Sequence, residues 1–354
     1  MLRKKKLLHV ISFCNGGASR VMEDIILNVS SDYDVSLLIL TTTRRLSSEI
    51  LNNDQVRVYE LNCTMLFNPL IALKIRPYLK NMDIVHVHLF PTLYWTALAG
   101  LCLKNHPFLI FTEHASQNNR RKYSFLRPLE YIVYSMYDKI VGVSSCATEN
   151  LIKWIGLKNK IVTINNGIDI KKIRENAIET NLHQLFPQKY LLTMVARLSK
   201  DKDFETIIRA MKELEDDYHL ILVGDGEERM TIETMIHELE LSRKITLLGY
   251  RQDISSLLKT SDLSILSSHA EGFSIVVLES LAVGTLCLGS DVDGIKDILP
   301  SQYLFQKGNV PELVQKIKTC VRFKESLEVK RELEQVCSEY EMNNMITGYK
   351  LLYG

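Results

Sequence analysis

Short apolar runs alternate with longer amphipathic stretches along most of the chain. The runs are rich in Ile, Val and Leu and have the length of buried strands; they read LLHVISF, DVSLLIL, DIVHVHLF, FLIFTEH, KIVGVSS and KIVTIN, then YLLTMVA, HLILVGDG, ITLLGY, LSILSS and TLCLGS. Continuous apolar strands separated by helices are typical of parallel sheets that helices cover on both faces. The pattern therefore predicts an α/β protein with doubly wound, Rossmann-like sheets.

The series of strands is interrupted once, by the polar stretch NNGIDIKKIRENAIETNLHQLFPQ, which has an Asn-Gly turn and no strand pattern. The length of 354 residues also exceeds the usual single domain of about 100 to 200 residues. We therefore predict an N-terminal Rossmann-like domain over residues 1–170 and a second one over 171–335. The remaining residues, 336–354, are predicted to form a C-terminal helix that returns to the N-terminal domain.

The charge balance argues against nucleic acid as the main partner, since 43 Lys and Arg face 42 Asp and Glu, a net charge of +1. The basic start, Arg3 to Lys6, precedes an apolar run too short to span a bilayer. It is either a solvated lead to the first strand or a membrane contact, because anionic headgroups attract each Lys or Arg by about 1 kcal/mol. Seven scattered cysteines without a CxxC pair or signal peptide predict a cytoplasmic protein.

Two glycine pairs follow strands, where ligands of open parallel sheets bind. Gly16 and Gly17 open a helix, and their amides could approach an anion, although a plain strand-to-helix turn explains them equally well and GxGxxG is absent. Gly224 and Gly226, in LVGDGEERM, are surrounded by acids that would repel a phosphate. We interpret them as turn glycines near a sugar or nucleoside.

Basic side chains follow the strand YLLTMVA, at Arg197, Lys200 and Lys202. An Arg and a Lys together can neutralise a diphosphate, the Arg through its bidentate fork and the Lys as a point charge. This loop is therefore a candidate diphosphate site.

An acid also lies on the apolar helix predicted from Ser274 to Val283 and closed by Gly284. The free amides of Phe273 and Ser274 at its start could bind an anion. Glu279 has apolar helical neighbours, so its carboxylate needs a hydrogen-bonding partner. Vicinal sugar hydroxyls would supply one, and so would nearby backbone or a basic side chain.

The spacing Glu271-x7-Glu279 resembles the E-x7-E signature of retaining glycosyltransferases of family 4, which have the GT-B fold. The resemblance covers nearly the whole chain, in the family's order: the Gly16-Gly17 loop, DIVHVH, TEH, NNGID, ARLSKDKDF, LVGDGEER, LLGY and SHAEGFSIVVLES. It implies two Rossmann-like domains whose parallel sheets face a central cleft. The N-terminal domain would bind the acceptor and the second domain a nucleotide-diphosphate sugar, without a required metal.

The resemblance also implies roles for individual residues. It matches Arg197 and Lys202 to the donor diphosphate, Glu279 to the ribose, Phe273 and Ser274 to the phosphate, and Glu271 to the reacting face of the sugar. It matches His114 to the anomeric centre, Gly16 and Gly17 to phosphate and acceptor, and Tyr250 and Arg251 to the segment whose backbone reads the base. The implied catalytic residues are His114, Glu271, Arg197 and Lys202.

Some positions depart from the family's pattern: Asp203 and Asp293 replace glycines, Asn165 a proline and Asp297 a glutamate. These changes concern the geometry of local turns, not the donor site. The pairs Asp201-x-Asp203 and Asp291-x-Asp293 resemble the metal-binding DxD of other transferases, but they fall in GT-B motif loops and we do not expect them to bind metal. We also interpret His86 and His88 as hydrogen-bonded strand histidines, since no third metal ligand is evident.

A basic and aromatic segment covers residues 120–137. Arginines and lysines alternate there with aromatic residues, at Arg120, Arg121, Lys122 and Arg127 and at Tyr123, Phe125, Tyr131 and Tyr134. Such a segment suits lipid headgroups or a lipid diphosphate acceptor. Packing of the same segment against its own domain is an equal alternative.

We therefore expect a retaining hexosyl- or N-acetylhexosaminyltransferase, with a UDP-sugar favoured over a GDP-sugar as donor. The expected acceptor is a glycan or a lipid-linked intermediate of a bacterial surface polysaccharide such as capsule or O-antigen. The protein would be cytoplasmic and could lie on the inner face of the cell membrane. Two alternatives are a sugar-nucleotide epimerase of similar fold and a non-catalytic protein that binds glycans or nucleotides.

Overall fold

The computed structural model describes residues 3–14, 16–42, 46–101, 103–115, 119–186, 190–324 and 326–354. The chain forms two compact units, Met1–Asn166 with Asn343–Gly354, and Gly167–Met342. The division between them falls four residues before the boundary predicted at 170/171. The return to the first unit begins at Asn343 rather than at residue 336.

The first unit contains a parallel sheet of seven strands in the order β3-β2-β1-β4-β5-β6-β7. Its strands are β1 (Lys6–Ile11), β2 (Asp34–Ile39), β3 (Val56–Glu60), β4 (Ile84–His88), β5 (Phe108–Glu113), β6 (Lys139–Gly142) and β7 (Ile161–Thr163). Its helices are α1 (Gly17–Val29), α2 (Ser48–Leu51), α3 (Ile71–Leu79), α4 (Thr92–Gly100), α5 (Arg127–Ser135) and α6 (Ser145–Ile155). Strand order reverses between β1 and β4, which is where ligands of such sheets bind.

The second unit repeats this architecture with six parallel strands in the order β10-β9-β8-β11-β12-β13. Its helices are α7 (Ile170–Asn176), α8 (Leu182–Leu185), α9 (Phe204–Glu213), α10 (Arg229–Glu238), α11 (Ile254–Thr260), α12 (Ile275–Ala282), α13 (Val310–Phe323) and α14 (Leu327–Glu339). Its strands are β8 (Tyr190–Val195), β9 (Tyr218–Val223), β10 (Ile245–Gly249), β11 (Leu263–Leu266), β12 (Cys287–Ser290) and β13 (Leu304–Phe305). Strand order reverses between β8 and β11, so the loops after these two strands are the expected binding region.

The chain ends in α15 (Met342–Tyr353), and α14 is a separate helix, so residues 336–354 are not the single helix predicted. α15 packs on the first sheet, where the Tyr353 hydroxyl lies 2.8 Å from Nδ1 of His86 and Lys350 pairs with Asp32 at 2.6 Å. The basic lead to β1 also contacts its own unit. Lys5 donates to the Tyr353 carbonyl at 3.1 Å, and Arg3 pairs with Asp83 at 3.0 Å.

Apolar side chains fill both units around the sheets, and β4 and β9 are buried over their full length. In the described part of the chain, none of the helices combines the length and the apolar character needed to cross a membrane.

Candidate active site

The first unit presents a glycine turn at the end of β1. Gly16 precedes α1 with a φ of +81°, a conformation that side chains rarely adopt. An added Cβ at Gly16 would meet no atom within 4 Å, so the backbone conformation rather than crowding calls for glycine. Helix α1 begins at Gly17, and the Ser19 hydroxyl donates to the Gly16 carbonyl at 2.9 Å.

His114 follows β5 at the same edge of the sheet and is half-buried. Its Nε2 lies 3.1 Å from Nδ1 of His88, the last residue of β4. Burial lowers the pKa of His114 to about 4, so the imidazole is neutral near pH 7. His114 is therefore held by a second histidine through one nitrogen.

In the second unit, the structure joins two of the predicted catalytic side chains. Lys202 lies in the loop after β8 and Glu271 in the loop after β11. Nζ of Lys202 forms an ion pair with Oε1 of Glu271, and the two side chains are only 11% and 14% exposed. An ion pair this well shielded from water is stronger than a surface pair. It fixes both groups at the point where strand order reverses.

Arg197, the other predicted cation, forms a separate pair. Its guanidinium lies 2.9 Å from Glu227, with both side chains more than half exposed. Glu227 comes from the loop after β9, so the acids that follow Gly224 provide a partner for Arg197.

Gly224 and Gly226 allow the loops after β8 and β9 to pack backbone against backbone. A Cβ on Gly224 would lie 1.9 Å from the Ala196 carbonyl oxygen, and one on Gly226 would lie 2.3 Å from that of Leu198. Gly224 also has a φ of +138°. These glycines set the position of the Arg197 loop.

The start of α12 agrees with the sequence prediction. Ser274 caps the helix by accepting from the Val277 amide at 3.4 Å, and Phe273 packs against Tyr340 with ring centroids 5.5 Å apart. Glu279 is 4% exposed on this helix. The helix start is thus an ordered element three residues beyond Glu271.

At the end of β10, the predicted base-reading residues lie on the surface. Tyr250 is exposed, and Arg251 pairs with Asp253 at 2.6 Å. The Arg251 guanidinium is therefore held by its own loop.

Asp203 has a structural role that explains its replacement of glycine. Its carboxylate accepts from the Thr206 amide at 3.2 Å and from the Thr206 hydroxyl at 2.7 Å, and it caps α9. Asp201 accepts from the Ser199 hydroxyl at 2.5 Å.

His86 and His88 belong to a larger buried cluster that includes His9 on β1. Among the described residues, these three place potential metal-ligating nitrogens within 4.8 Å of one another. Both ring nitrogens of His86 lie next to hydroxyls, that of Tyr353 at 2.8 Å and that of Thr112 at 2.6 Å. Hydrogen bonds thus account for His86, and sequence reasoning missed the contacts that His88 makes with His9 and His114.

The basic-aromatic segment is held by two buried acids that sequence reasoning also missed. Glu130 on α5 accepts from Arg120 at 2.6 Å, from Tyr94 at 2.9 Å and from Trp154 at 2.5 Å. Glu113, the last residue of β5, accepts from Arg121 at 3.1 Å. The signal available for Glu130 was weaker than that for Glu279, because its helical neighbours include Arg127 beside the apolar Leu126 and Val133.

Most aromatic and apolar side chains of the same segment face outward, whereas Tyr134 is buried and donates to Glu113 at 3.0 Å. Phe125 is 75% exposed and Ile132 58%, with Tyr123, Leu129 and Tyr131 about half exposed. The segment was predicted either to meet lipid or to pack against its own domain. Arg120 and Arg121 pack inward, whereas the outer face of α5 remains exposed, so each alternative applies to different side chains.

Comparisons with known proteins agree with this architecture. The family described as "Glycosyltransferase Family 4" matches residues 15–172, and "Glycosyl transferases group 1" matches residues 177–340. HepE of Anabaena, solved in complex with UDP and glucose, superposes with a TM-score of 0.84 at 18% identity, over 98% of this chain and 99% of that one. Sucrose-phosphate synthase of Thermosynechococcus elongatus has a TM-score of 0.83 at 16% identity, over 99% and 98% of the two chains.

Curated relatives extend the comparison. The chain is 24% identical to N-acetyl-alpha-D-glucosaminyl L-malate synthase of Bacillus anthracis, over 77% of this chain and 75% of the relative. It is 26% identical, over 80% of each chain, to an enzyme of Campylobacter jejuni named N-acetylgalactosamine-N,N'-diacetylbacillosaminyl-diphospho-undecaprenol 4-alpha-N-acetylgalactosaminyltransferase. The two parallel-sheet units and the matches to both halves define a GT-B glycosyltransferase. Within that class, the chain belongs to the glycosyltransferases of the family 4 type.

Proposed function

We propose that this glycosyltransferase moves a hexose or N-acetylhexosamine from a UDP-sugar to a lipid-linked diphosphate acceptor, with retention of the anomeric configuration. The product would be an intermediate of a surface polysaccharide such as capsule or O-antigen. The observation that carries this proposal is the shielded Lys202–Glu271 pair at the carboxyl ends of β8 and β11, just before α12.

This arrangement suits the departure of a nucleoside diphosphate. As the bond between the anomeric carbon and the phosphate oxygen breaks, negative charge grows on the diphosphate. Lys202, Arg197 and the amides at the start of α12 would stabilise that charge. Glu271 would meet the hydroxyls of the transferred sugar, while Glu279 would accept from the ribose.

Retention requires that the acceptor oxygen bond to the anomeric carbon on the face that the diphosphate leaves. The hydroxyl proton of the acceptor would then pass to the departing phosphate oxygen, so that atoms and charge balance. His114 would lie at this carbon, with its neutral imidazole available for a hydrogen bond.

The names of relatives support the donor and the acceptor. One relative from Escherichia coli, 28% identical over 63% of this chain, is named UDP-Gal:alpha-D-GlcNAc-diphosphoundecaprenol alpha-1,3-galactosyltransferase. The name of the Campylobacter enzyme includes both a diphospho-undecaprenol acceptor and an alpha linkage. An alpha product from an alpha-linked UDP-sugar is a retained configuration.

The test is transfer by the purified protein from UDP-, GDP- and ADP-sugars to short-chain polyprenyl diphosphate sugars, preceded by a thermal-shift screen that selects the nucleotide. We expect UDP to raise the melting temperature most and the product to be the alpha anomer by NMR. A beta product from an alpha donor contradicts retention. Release of a modified nucleotide sugar without acceptor would indicate the epimerase. Binding of a donor without turnover would indicate the non-catalytic protein.

We also propose that the outer face of α5 and the preceding turn, residues 123–132, touch the membrane that holds the acceptor. Phe125, Leu129, Tyr131 and Ile132 are exposed apolar side chains, and the exposed Lys122 adds positive charge next to them. Apolar and aromatic side chains beside a basic one are typical of surfaces that bind anionic bilayers.

This contact can be measured by co-sedimentation with vesicles of phosphatidylglycerol and phosphatidylcholine. The double change Phe125→Ser and Ile132→Ser should reduce the bound fraction several-fold. Met230→Ser, which removes an apolar side chain 72% exposed in the second unit, is the matched control. Equal binding by the wild type and the double variant would rule out this surface.

A further inference from the structure

Three histidines of the first unit form one hydrogen-bonded line across neighbouring strands. Nδ1 of His9 lies 3.0 Å from Nε2 of His88, and Nδ1 of His88 lies 3.1 Å from Nε2 of His114. The parallel register of β1 with β4, and of β4 with β5, brings these residues together. The line runs from the interior of the sheet to the edge where His114 lies.

Counting hydrogens shows that the three rings are coupled. Burial lowers the pKa of His9 to about 3 and that of His114 to about 4, and it holds the pKa of His88 well below its ordinary value. Each ring is therefore neutral at pH 7, with one N–H and one acceptor nitrogen. Two of the three hydrogens occupy the two contacts between rings, so the third lies at one end of the line.

The two ends are Nε2 of His9 and Nδ1 of His114. Neither atom has a hydrogen-bond partner within the part of the chain that the structure describes, and both are buried. If the end hydrogen is on His114, Nδ1 is a donor; if it is on His9, Nδ1 of His114 is an acceptor. One state converts to the other only when the hydrogens of all three rings move together.

His86 does not take part in this line, although its ring centroid lies 4.1 Å from that of His88. Its two nitrogens are next to the Tyr353 and Thr112 hydroxyls. A hydroxyl can donate or accept, so these partners place no fixed demand on the tautomer of His86. The coupling is confined to His9, His88 and His114.

We propose that His88 is a positioning residue for the transfer reaction, which holds the His114 ring and couples its tautomer to that of His9. His9 takes part through its contact with the other ring nitrogen of His88. This inference rests on the proposed function, which places His114 beside the transferred sugar. The position of the ring beside the sugar, and which of its nitrogens carries the hydrogen, would then be set jointly with His88 and His9.

Two substitutions of His88 separate the contacts. The side-chain amide of Asn lies as many bonds from Cα as Nδ1 of histidine does, and that of Gln as many as Nε2. His88→Asn therefore keeps a polar group for His114 and gives up the contact to His9, whereas His88→Gln does the reverse. The two variants otherwise place a similar amide in the same buried position.

The measurements are steady-state kinetics of the full chain and ¹⁵N NMR of protein labelled at its nine histidines, with the His114 signals assigned by their loss in His114→Gln. We expect His88→Gln to lower kcat on the order of tenfold or more with little change in the KM for donor. His88→Asn should keep kcat closer to that of the wild type. In the wild type, His9 and His114 should show the same tautomer populations, because their hydrogens can move only together with that of His88. In His88→Gln the His114 populations should differ from those of His9, whose signals are assigned by their loss in His9→Gln.

Two results would overturn the inference. One is a His114 tautomer that is the same in the wild type and His88→Gln. The other is an equal loss of thermal stability in both variants with an unchanged kcat for the folded fraction, which would indicate packing alone. If the wild type transfers no sugar, the proposed function fails, and the NMR experiment still decides whether the three rings are coupled.

Discussion

Lys202 and Arg197 are both cations of the loop after β8, but their surroundings differ. Lys202 is 11% exposed and paired with Glu271, whereas Arg197 is 61% exposed. If both stabilise the leaving diphosphate, Lys202→Ala or Arg197→Ala should lower kcat by about 10²-fold or more, the loss typical of removing one group that stabilises transition-state charge. Lys200→Ala, in the same loop and exposed, is the matched control. Near-normal turnover of the Lys202 and Arg197 variants would remove these residues from the mechanism.

Glu279 permits a separate test of donor binding. A carboxylate that accepts from ribose hydroxyls contributes about 1.5 to 3 kcal/mol, so Glu279→Ala should weaken UDP binding roughly tenfold or more in calorimetry. Glu205→Ala changes an acid that is 58% exposed on α9 of the same unit and should leave the affinity unchanged. An unaltered Kd for the Glu279 variant would contradict the ribose contact.

At Gly224, a single backbone contact excludes any residue that has a Cβ. Gly224→Ala would place Cβ 1.9 Å from the Ala196 carbonyl oxygen and also strain a φ of +138°, so we expect a loss of about 3 kcal/mol or more in the free energy of unfolding. Gly284→Ala has the φ strain alone, at +84° with no atom within 4 Å, and should cost about 1 to 2 kcal/mol. Equal costs in urea unfolding would show that the loops after β8 and β9 separate easily.

At the scale of elements, the buried carboxylate of Glu130 holds α5 against its own unit. Glu130 is fully buried and accepts from three side chains, so Glu130→Ala leaves the guanidinium of Arg120 without its carboxylate. Breaking a buried pair costs about 3 to 5 kcal/mol, which corresponds to a melting temperature lower by roughly 10 °C. Glu149→Ala on α6, where the acid is 67% exposed, should change the melting temperature little. Similar melting temperatures for the two variants would contradict the structural role of Glu130.

The elements that sequence reasoning identified are those with a strong local pattern. Continuous apolar runs marked the central strands, and the cap and the glycine marked both ends of α12. β3 was missed because it is an edge strand in which burial alternates, and β13 because it has two residues. The break between α14 and α15 was missed because the turn at Tyr340 contains no proline or glycine.

At the scale of the whole molecule, sequence reasoning could not predict which strands pair and in which register. His86 and His88 are evident as a pair, but His9 lies 77 residues earlier and joins them only because β1 and β4 are paired, with His9 opposite His86. Glu271 and Lys202 are likewise 69 residues apart in sequence and meet where β8 and β11 end. The family resemblance matched both residues to the donor, but that the two side chains touch follows from the pairing of β8 with β11 and not from local spacing.

The buried histidines also make a prediction for the stability of the chain. Histidine in an unfolded chain has a pKa near 6.5, whereas burial lowers the pKa of His9 to about 3 and that of His114 to about 4. Between these values the unfolded chain binds more protons than the folded one. The free energy of unfolding should therefore fall as the pH drops below about 6.5, by up to about 1.4 kcal/mol per pH unit for each such histidine.

Urea unfolding between about pH 7.5 and pH 5 tests this sign. His9→Gln replaces one buried imidazole by an amide that does not titrate, so its free energy of unfolding should fall less steeply with decreasing pH, by up to about 1.4 kcal/mol per unit at the acid end of this range. The slope is informative even if the variant is less stable at every pH, because a uniform loss of stability leaves the slope unchanged. Identical slopes would mean that His9 is protonated in the folded protein, which would also break the line of three neutral rings.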